Sequence, residues 1–216
     1  MRDNAPRIRG LYAIADSACL NDIRLVPAVR EAIAGGARVV QYRDKRHDAR
    51  ARLAQANELA SLCTETGVTF IVNDDVQLAA NCGADGVHLG AEDATVATAR
   101  KRLGAGAIIG VSCYNDFSRA QAAAGAGADY VAFGSFYPSR TKPAAVRANT
   151  DLLQHARRDL TLAVVAIGGI TPENGAALVH AGAHALAVID GLFGARDVRA
   201  TAECFAALFQ QQAVLS

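Results

Sequence analysis

Short β-rich runs alternate with longer alanine-rich segments along this chain, and that alternation constrains the fold more than any other feature. Candidate strands are IRGLYAIAD (8–16), RVVQYRD (38–44), TFIVND (69–74), GVHLG (86–90), AIIGVSC (107–113), YVAFGSF (130–136), LAVVAIGG (162–169) and ALAVID (185–190). Segments between them, such as DARARLAQANELASLCTETG and SRAQAAAGAG, have helical spacing. Short apolar strands separated by such helices read as βαβ units and a parallel sheet. A Gly-Ala step at 36, 83, 127 and 182 precedes four of the strands. Glycine there fits the left-handed cap that ends a helix before the next strand. Eight β/α units in 216 residues match the lower size range of a (β/α)8 barrel. The expectation is one TIM-barrel domain with parallel strands over residues 1–216. An open doubly wound sheet would carry a glycine fingerprint after its first strand, and LYAIADSACLND has none.

Composition removes several function classes. Hydrophobic residues make up 51% and charged residues 20%, enough for a large core. A net charge of +1 gives no basic excess for nucleic acid or an anionic membrane. Any anion site must therefore be a local cluster. Five scattered cysteines without a CxxC pair read as free thiols in a reducing cytosol. The polar start MRDNAPRIRG has no signal-peptide core, and no apolar run is long enough to span a membrane. The expected setting is cytoplasmic, with small-molecule partners, and the sequence is compatible with an oligomer.

In a barrel of this kind the active site lies at the C-terminal ends of the strands. Strand two ends in Gln41, Arg43 and Lys45, spaced two apart and so aimed to one face. Strand three ends in Asn73-Asp74-Asp75, and strand four runs into Asp93. Strand five ends in Ser112, strand six runs into YPSRTKP, and strand seven ends in Gly168-Gly169 before Thr171-Pro172. Each piece alone has a bland explanation. Arg43 and Lys45 would suit a solvated strand end, and one of Asn73, Asp74 and Asp75 is expected to cap the next helix. PSRTK would suit a turn. Asn73 and Asp74 share a face only if the strand stops between them. His88 reads as a satisfied barrel residue.

Together the pieces indicate two anion subsites. Asp74 and Asp93, from adjacent strands, suit one Mg²⁺, which takes oxygen ligands and substrate phosphate. Arg43, Lys45 and Lys142 supply cations for phosphate oxygens. Glycine amides at Gly168-Gly169 and the end of strand eight form a second, metal-free subsite. Two aspartates plus a diphosphate total roughly −5, against about +5 from Mg²⁺ and the three cations.

At this point the chain resembles the thiamine phosphate synthase family. LYAIAD, VVQYRDK, IVNDDVQLAANCGADGVHLGAED, IIGVSCY, GADYVAFGSFYPSRTK and VVAIGGITPENGAALVHAGAHALAVI carry the resemblance in the family's order over nearly the whole chain. The Gln-x-Arg-x-Lys strand end and the Ser-x-Thr-Lys loop are its most specific parts. The resemblance implies a Mg²⁺-assisted transferase that joins hydroxymethylpyrimidine diphosphate to thiazole phosphate, giving thiamine phosphate and pyrophosphate. It implies that Gln41, Arg43, Lys45, Asn73 and Lys142 contact the pyrimidine diphosphate, and that Asp74 and Asp93 bind the metal. Ser112 would lie beside the reacting centre, with Arg43 and Lys142 sharing the catalytic role. Ser139, Thr141, Gly169 and the backbone of Val188 and Ile189 would hold the thiazole phosphate.

The chain also departs from the family's pattern. Asp190 stands where the family has Ser, so either it points away and backbone N–H groups bind alone, or the subsite differs. Ser139 replaces Thr and keeps the hydroxyl. Asp44 replaces Glu and should face away from the site with little effect. Three alternatives remain at this level: a thiazole tautomerase-like isomerase, a barrel with Lys142 as a Schiff-base lysine, and a non-catalytic barrel that binds a phosphorylated ligand.

Overall fold

The computed structural model describes residues 7–138 and 147–213. Eight parallel strands, β1 (Gly10–Asp16), β2 (Ala37–Arg43), β3 (Thr69–Asn73), β4 (Gly86–Leu89), β5 (Ile108–Tyr114), β6 (Tyr130–Phe133), β7 (Ala163–Ile167) and β8 (Ala185–Val188), close into a barrel in sequence order. The helices between them are α1 (Asp22–Ala34), α2 (Ala49–Thr66), α3 (Val76–Cys82), α4 (Val96–Leu103), α5 (Phe117–Gly125), α6 (Thr150–Asp159) and α7 (Pro172–His180). A four-residue helix, α8 (Asp190–Phe193), and the long α9 (Val198–Ala213) follow β8. Among the described residues, no helix is long and apolar enough to cross a membrane.

The four recurrent glycines all have positive φ: Gly36 at 105°, Gly83 at 66°, Gly127 at 88° and Gly182 at 107°. Left-handed backbone is cheap only for glycine, which explains why the Gly-Ala step recurs before strands. Helix starts are equally local. Asn21, Asp48, Asp75, Thr95, Asp116 and Asn149 each accept a backbone N–H near the start of the following helix.

Alternation within the strands sorts side chains into two cores. Leu11, Ala13, Val40, Tyr42, Val87, Val131 and Val164 face the helices. Tyr12, Ile14, Val39, Ile71, Ile108, Tyr130, Val165 and Ala187 fill the barrel interior. Gln41 and Arg43 share the parity of Val39 and so point inward.

Three strands stop two or three residues short of the sequence-based expectation. β6 stops at Phe133, short of Phe136, although the next residues stay tied to the β7 end: Phe136 N–H donates to Ile167 O at 3.2 Å and Tyr137 N–H to Gly168 O at 3.0 Å. β7 stops at Ile167 because Gly168 (φ 105°) and Gly169 (φ 64°) turn the chain out of the sheet. β8 stops at Val188, and Asp190 becomes the first residue of α8.

Candidate active site

The C-terminal mouth of the barrel opens into a cavity of about 520 Å³. Its floor is polar in spite of the apolar strands around it. Gln41 Nε2 donates to the Tyr12 hydroxyl at 2.8 Å, and the Tyr12 and Tyr130 hydroxyls lie 2.8 Å apart. The Tyr130 hydroxyl is 3.0 Å from His88 Nδ1, and His88 Nε2 is 2.8 Å from Ser112 Oγ. Burial pushes both tyrosine hydroxyls far above their ordinary range, so they stay protonated. Small residues make the space: a Cβ at Gly110 would lie 1.9 Å from Tyr130 Cζ.

The rim beside β1–β4 is charged. Arg43 Nη1 pairs with Asp16 Oδ2 at 2.5 Å, and the Asp16 side chain is 1% exposed. Lys45 pairs with Asp74 Oδ2, and the same oxygen accepts Asn73 Nδ2 at 2.8 Å. Asp74 has φ 56°, a left-handed conformation that Asp tolerates better than most residues. β3 ends at Asn73, and the turn brings Asp74 alongside it; this is the strand stop that simple alternation required. Asp75 provides the expected cap by accepting Leu78 N–H at 2.8 Å. Asp93 accepts the Gly90 N–H at 2.6 Å in the loop after β4. Arg119 ties the two neighbouring strand ends together, donating to Ser112 O at 2.7 Å and to Gly90 O at 3.2 Å.

The opposite wall is built from backbone. A Cβ at Gly169 would lie 2.2 Å from Pro138 O, and one at Gly191 would lie 2.1 Å from Ile170 O. Only glycine lets these loops approach so closely. Thr171 and Asn174 form a reciprocal capping box at the start of α7. Asp190 lines the cavity, and its Oδ1 accepts the Cys19 thiol at 2.9 Å. Burial, with Asp190 beside it, pushes the Cys19 thiol up to about 12, which keeps it a protonated donor.

Gln41, Arg43, Asn73, Ser112, Gly169, Val188 and Ile189 therefore line one cavity. Lys45, Asp74 and Asp93 stand in the adjoining loops rather than in its lining. Ser139, Thr141 and Lys142 lie outside the described residues, as does Arg140. His88 is hydrogen-bonded as expected, yet it also lines the cavity. The sequence reading missed Asp16, Tyr12 and Tyr130. Their signal was present, because Tyr12 and Asp16 share the inward parity of Ile14. Asp16 adds a carboxylate that the sequence count left out, and Arg43 is its partner. Asp44 does face away from the cavity, but it is a buried junction rather than a neutral position. It accepts from Ser17 Oγ and from the Arg46 N–H, both at 2.7 Å.

The family model described as thiamine monophosphate synthase matches residues 11–192. A thiamine-phosphate synthase of Nitrosococcus oceani is 54% identical over 198 residues, covering 92% of this chain and 91% of the relative. One from Thiobacillus denitrificans is 55% identical, covering 89% of this chain and 91% of the relative. Among solved structures, thiamine phosphate pyrophosphorylase from Pyrococcus furiosus superposes with a TM-score of 0.85 at 33% identity, covering 94% of this chain and 96% of that one.

Proposed function

The chain belongs to the thiamine monophosphate synthase family, and on that premise we propose that it joins hydroxymethylpyrimidine diphosphate to thiazole phosphate, releasing pyrophosphate, through the cavity described above. It is a transferase by that membership. The observation that carries the site assignment is the convergence of Gln41, Arg43, Asn73 and Ser112 from three strands on one cavity whose far wall is glycine backbone.

The chemistry needs a departing diphosphate stabilised and a thiazole nitrogen held in line, with no protein nucleophile. Arg43 and Lys45 sit on the diphosphate side, each balanced by a carboxylate until substrate arrives. Gln41, Asn73 and Ser112 orient the pyrimidine, with Ser112 beside the reacting carbon. Lys142 completes the cationic set. Gly169 and the Val188–Ile189 backbone, with Ser139 and Thr141, hold the thiazole phosphate. Asp190 is occupied by the Cys19 thiol, which supports backbone N–H groups rather than a side-chain hydroxyl as the phosphate donors there.

Asp74 and Asp93 fit Mg²⁺ by donor chemistry. Both are carboxylates without an imidazole or thiolate partner, a set suited to a hard cation. Among the described residues, no group of three or more His, Cys, Asp or Glu is placed to hold a metal. Substrate oxygens would therefore complete the coordination. When bound, Mg²⁺ supplies Lewis acidity to the leaving diphosphate. The protein acts in the cytoplasm on small molecules, with no nucleic-acid or membrane partner. The isomerase, Schiff-base and binding-only alternatives gain no support from the relatives.

The test is pyrophosphate release. It should require both substrates and Mg²⁺, and fall at least about a hundredfold in Asp74→Ala/Asp93→Ala. Equal release from the pyrimidine diphosphate alone would refute the condensation, and full activity of the double variant would refute the metal assignment.

A further inference from the structure

The floor of the cavity is a single hydrogen-bonded chain drawn from five strands: Gln41, Tyr12, Tyr130, His88 and Ser112. Tyr12 and Tyr130 are 1% and 0% exposed, so bulk water does not repair a mismatch there. Each hydroxyl has one proton, and a neutral imidazole has one N–H. Gln41 Nε2 donates to Tyr12, and the buried Tyr12 proton is paired only if it goes to Tyr130, which sends the Tyr130 proton to His88 Nδ1. The imidazole proton then sits on Nε2 and goes to Ser112 Oγ. That leaves the Ser112 proton for a ligand at one end and the Gln41 carbonyl oxygen at the other.

We propose that this chain is a polarity relay that fixes Gln41 as acceptor and Ser112 as donor, so that the cavity selects a 4-aminopyrimidine over its 4-oxo counterpart. The amino form offers an N–H donor and a ring-nitrogen acceptor. The oxo form reverses that pair with a ring N–H and a carbonyl. Accepting it means either mismatched contacts or a concerted reversal of an amide, three hydroxyls and an imidazole tautomer. Tyr12, Tyr130 and His88 are positioning residues that act through Gln41 and Ser112. The Tyr130 ring has no room to swing toward β5, because Gly110 is what admits it. The proposal rests on the pyrimidine reading above and deepens it.

Calorimetric binding of 4-amino-5-hydroxymethylpyrimidine diphosphate and its 4-oxo analogue, with Mg²⁺, tests the relay in the wild type, Tyr130→Phe and Tyr12→Phe. Inorganic pyrophosphate serves as the control for folding and for the diphosphate subsite. The wild type should prefer the amino form by about tenfold to a hundredfold. Either Phe variant should lose roughly tenfold of that preference while pyrophosphate binding holds. An unchanged preference in both variants overturns the relay. If the wild type binds pyrophosphate but neither pyrimidine, the underlying reading fails instead. ¹⁵N-histidine spectra of the unsubstituted protein give a readout independent of folding in the variants. His88 should be the Nε2–H tautomer, and an Nδ1–H or doubly protonated ring overturns the proposal.

Discussion

Asp44→Asn is the substitution for which the structure gives the most definite expectation. Asp44 is 6% exposed and sits between Arg43 and Lys45. Its Oδ1 accepts from Ser17 Oγ and the Arg46 N–H at 2.7 Å, and from the His47 N–H at 3.3 Å. Its Oδ2 lies 2.7 Å from His47 Nδ1 and 3.0 Å from the Tyr42 hydroxyl. An amide keeps an acceptor for Ser17 and the two N–H groups only by turning its NH2 toward His47 Nδ1 and the Tyr42 hydroxyl, which must then both accept, with the Tyr42 proton going to Gln55 Oε1, and every contact loses its charge assistance. Charge-assisted contacts are worth roughly 1.5–3 kcal/mol each, and allowing for relaxation the loss should be about 3 kcal/mol at pH 7. Burial alone would raise the Asp44 pKa, but the donors from Arg46, Ser17, His47 and Tyr42 outweigh it and hold the carboxyl well below its ordinary value of 3.8. The stabilisation is therefore complete above that ordinary value and is lost as pH falls below it toward the folded value. Urea unfolding of wild type and variant should show a gap that persists from pH 7 to about pH 5 and narrows below about pH 4. The KM for the diphosphate substrate should also rise, because the same loop presents Lys45. A gap under about 1 kcal/mol at pH 7, or one that widens on acidification, would refute the reasoning.

Gly169→Ala should destabilise by about 2–4 kcal/mol, since φ is 64° and the new methyl would meet Pro138 O at 2.2 Å. It should weaken thiazole phosphate more than pyrimidine diphosphate, and paired KM measurements check this. His184 should make the barrel acid-sensitive. Its burial, with Arg157 alongside, lowers the imidazole pKa from 6.5 to about 4. The folded ring resists a proton that the unfolded ring accepts, so stability is intact above pH 6.5 and falls as pH drops toward 4. Between those limits the wild type should lose roughly 1–2 kcal/mol more than His184→Gln, a figure reduced for the ring's partial exposure. Parallel urea profiles for the two proteins would contradict it.

Much of the architecture was legible along the chain because its causes are local. Period-two alternation places Gln41 and Arg43 inward with Val39, whatever the other strands do. Positive φ at Gly36, Gly83, Gly127 and Gly182 follows from helix-to-strand turns only a few residues long. Strand ends were less legible, since Gly168-Gly169 and the α8 turn end strands whose apolar pattern continues past them.

Partnership across the barrel was not legible. Arg43 looked like an unpaired cation in the sequence, and the fold gives it Asp16 from the neighbouring strand. His88 was read as satisfied, but nothing local names Tyr130 and Ser112 as its partners. Asp190 looked like a lone carboxylate in a phosphate subsite. It meets the Cys19 thiol only because β8 pairs with β1 and closes the ring. The sequence by itself thus determined the strands, their inward faces and the residue types at the rim, since short-range sterics and alternation decide those. Barrel closure alone decided which charges neutralise one another and which hydroxyls share protons, because those contacts join residues up to 171 positions apart.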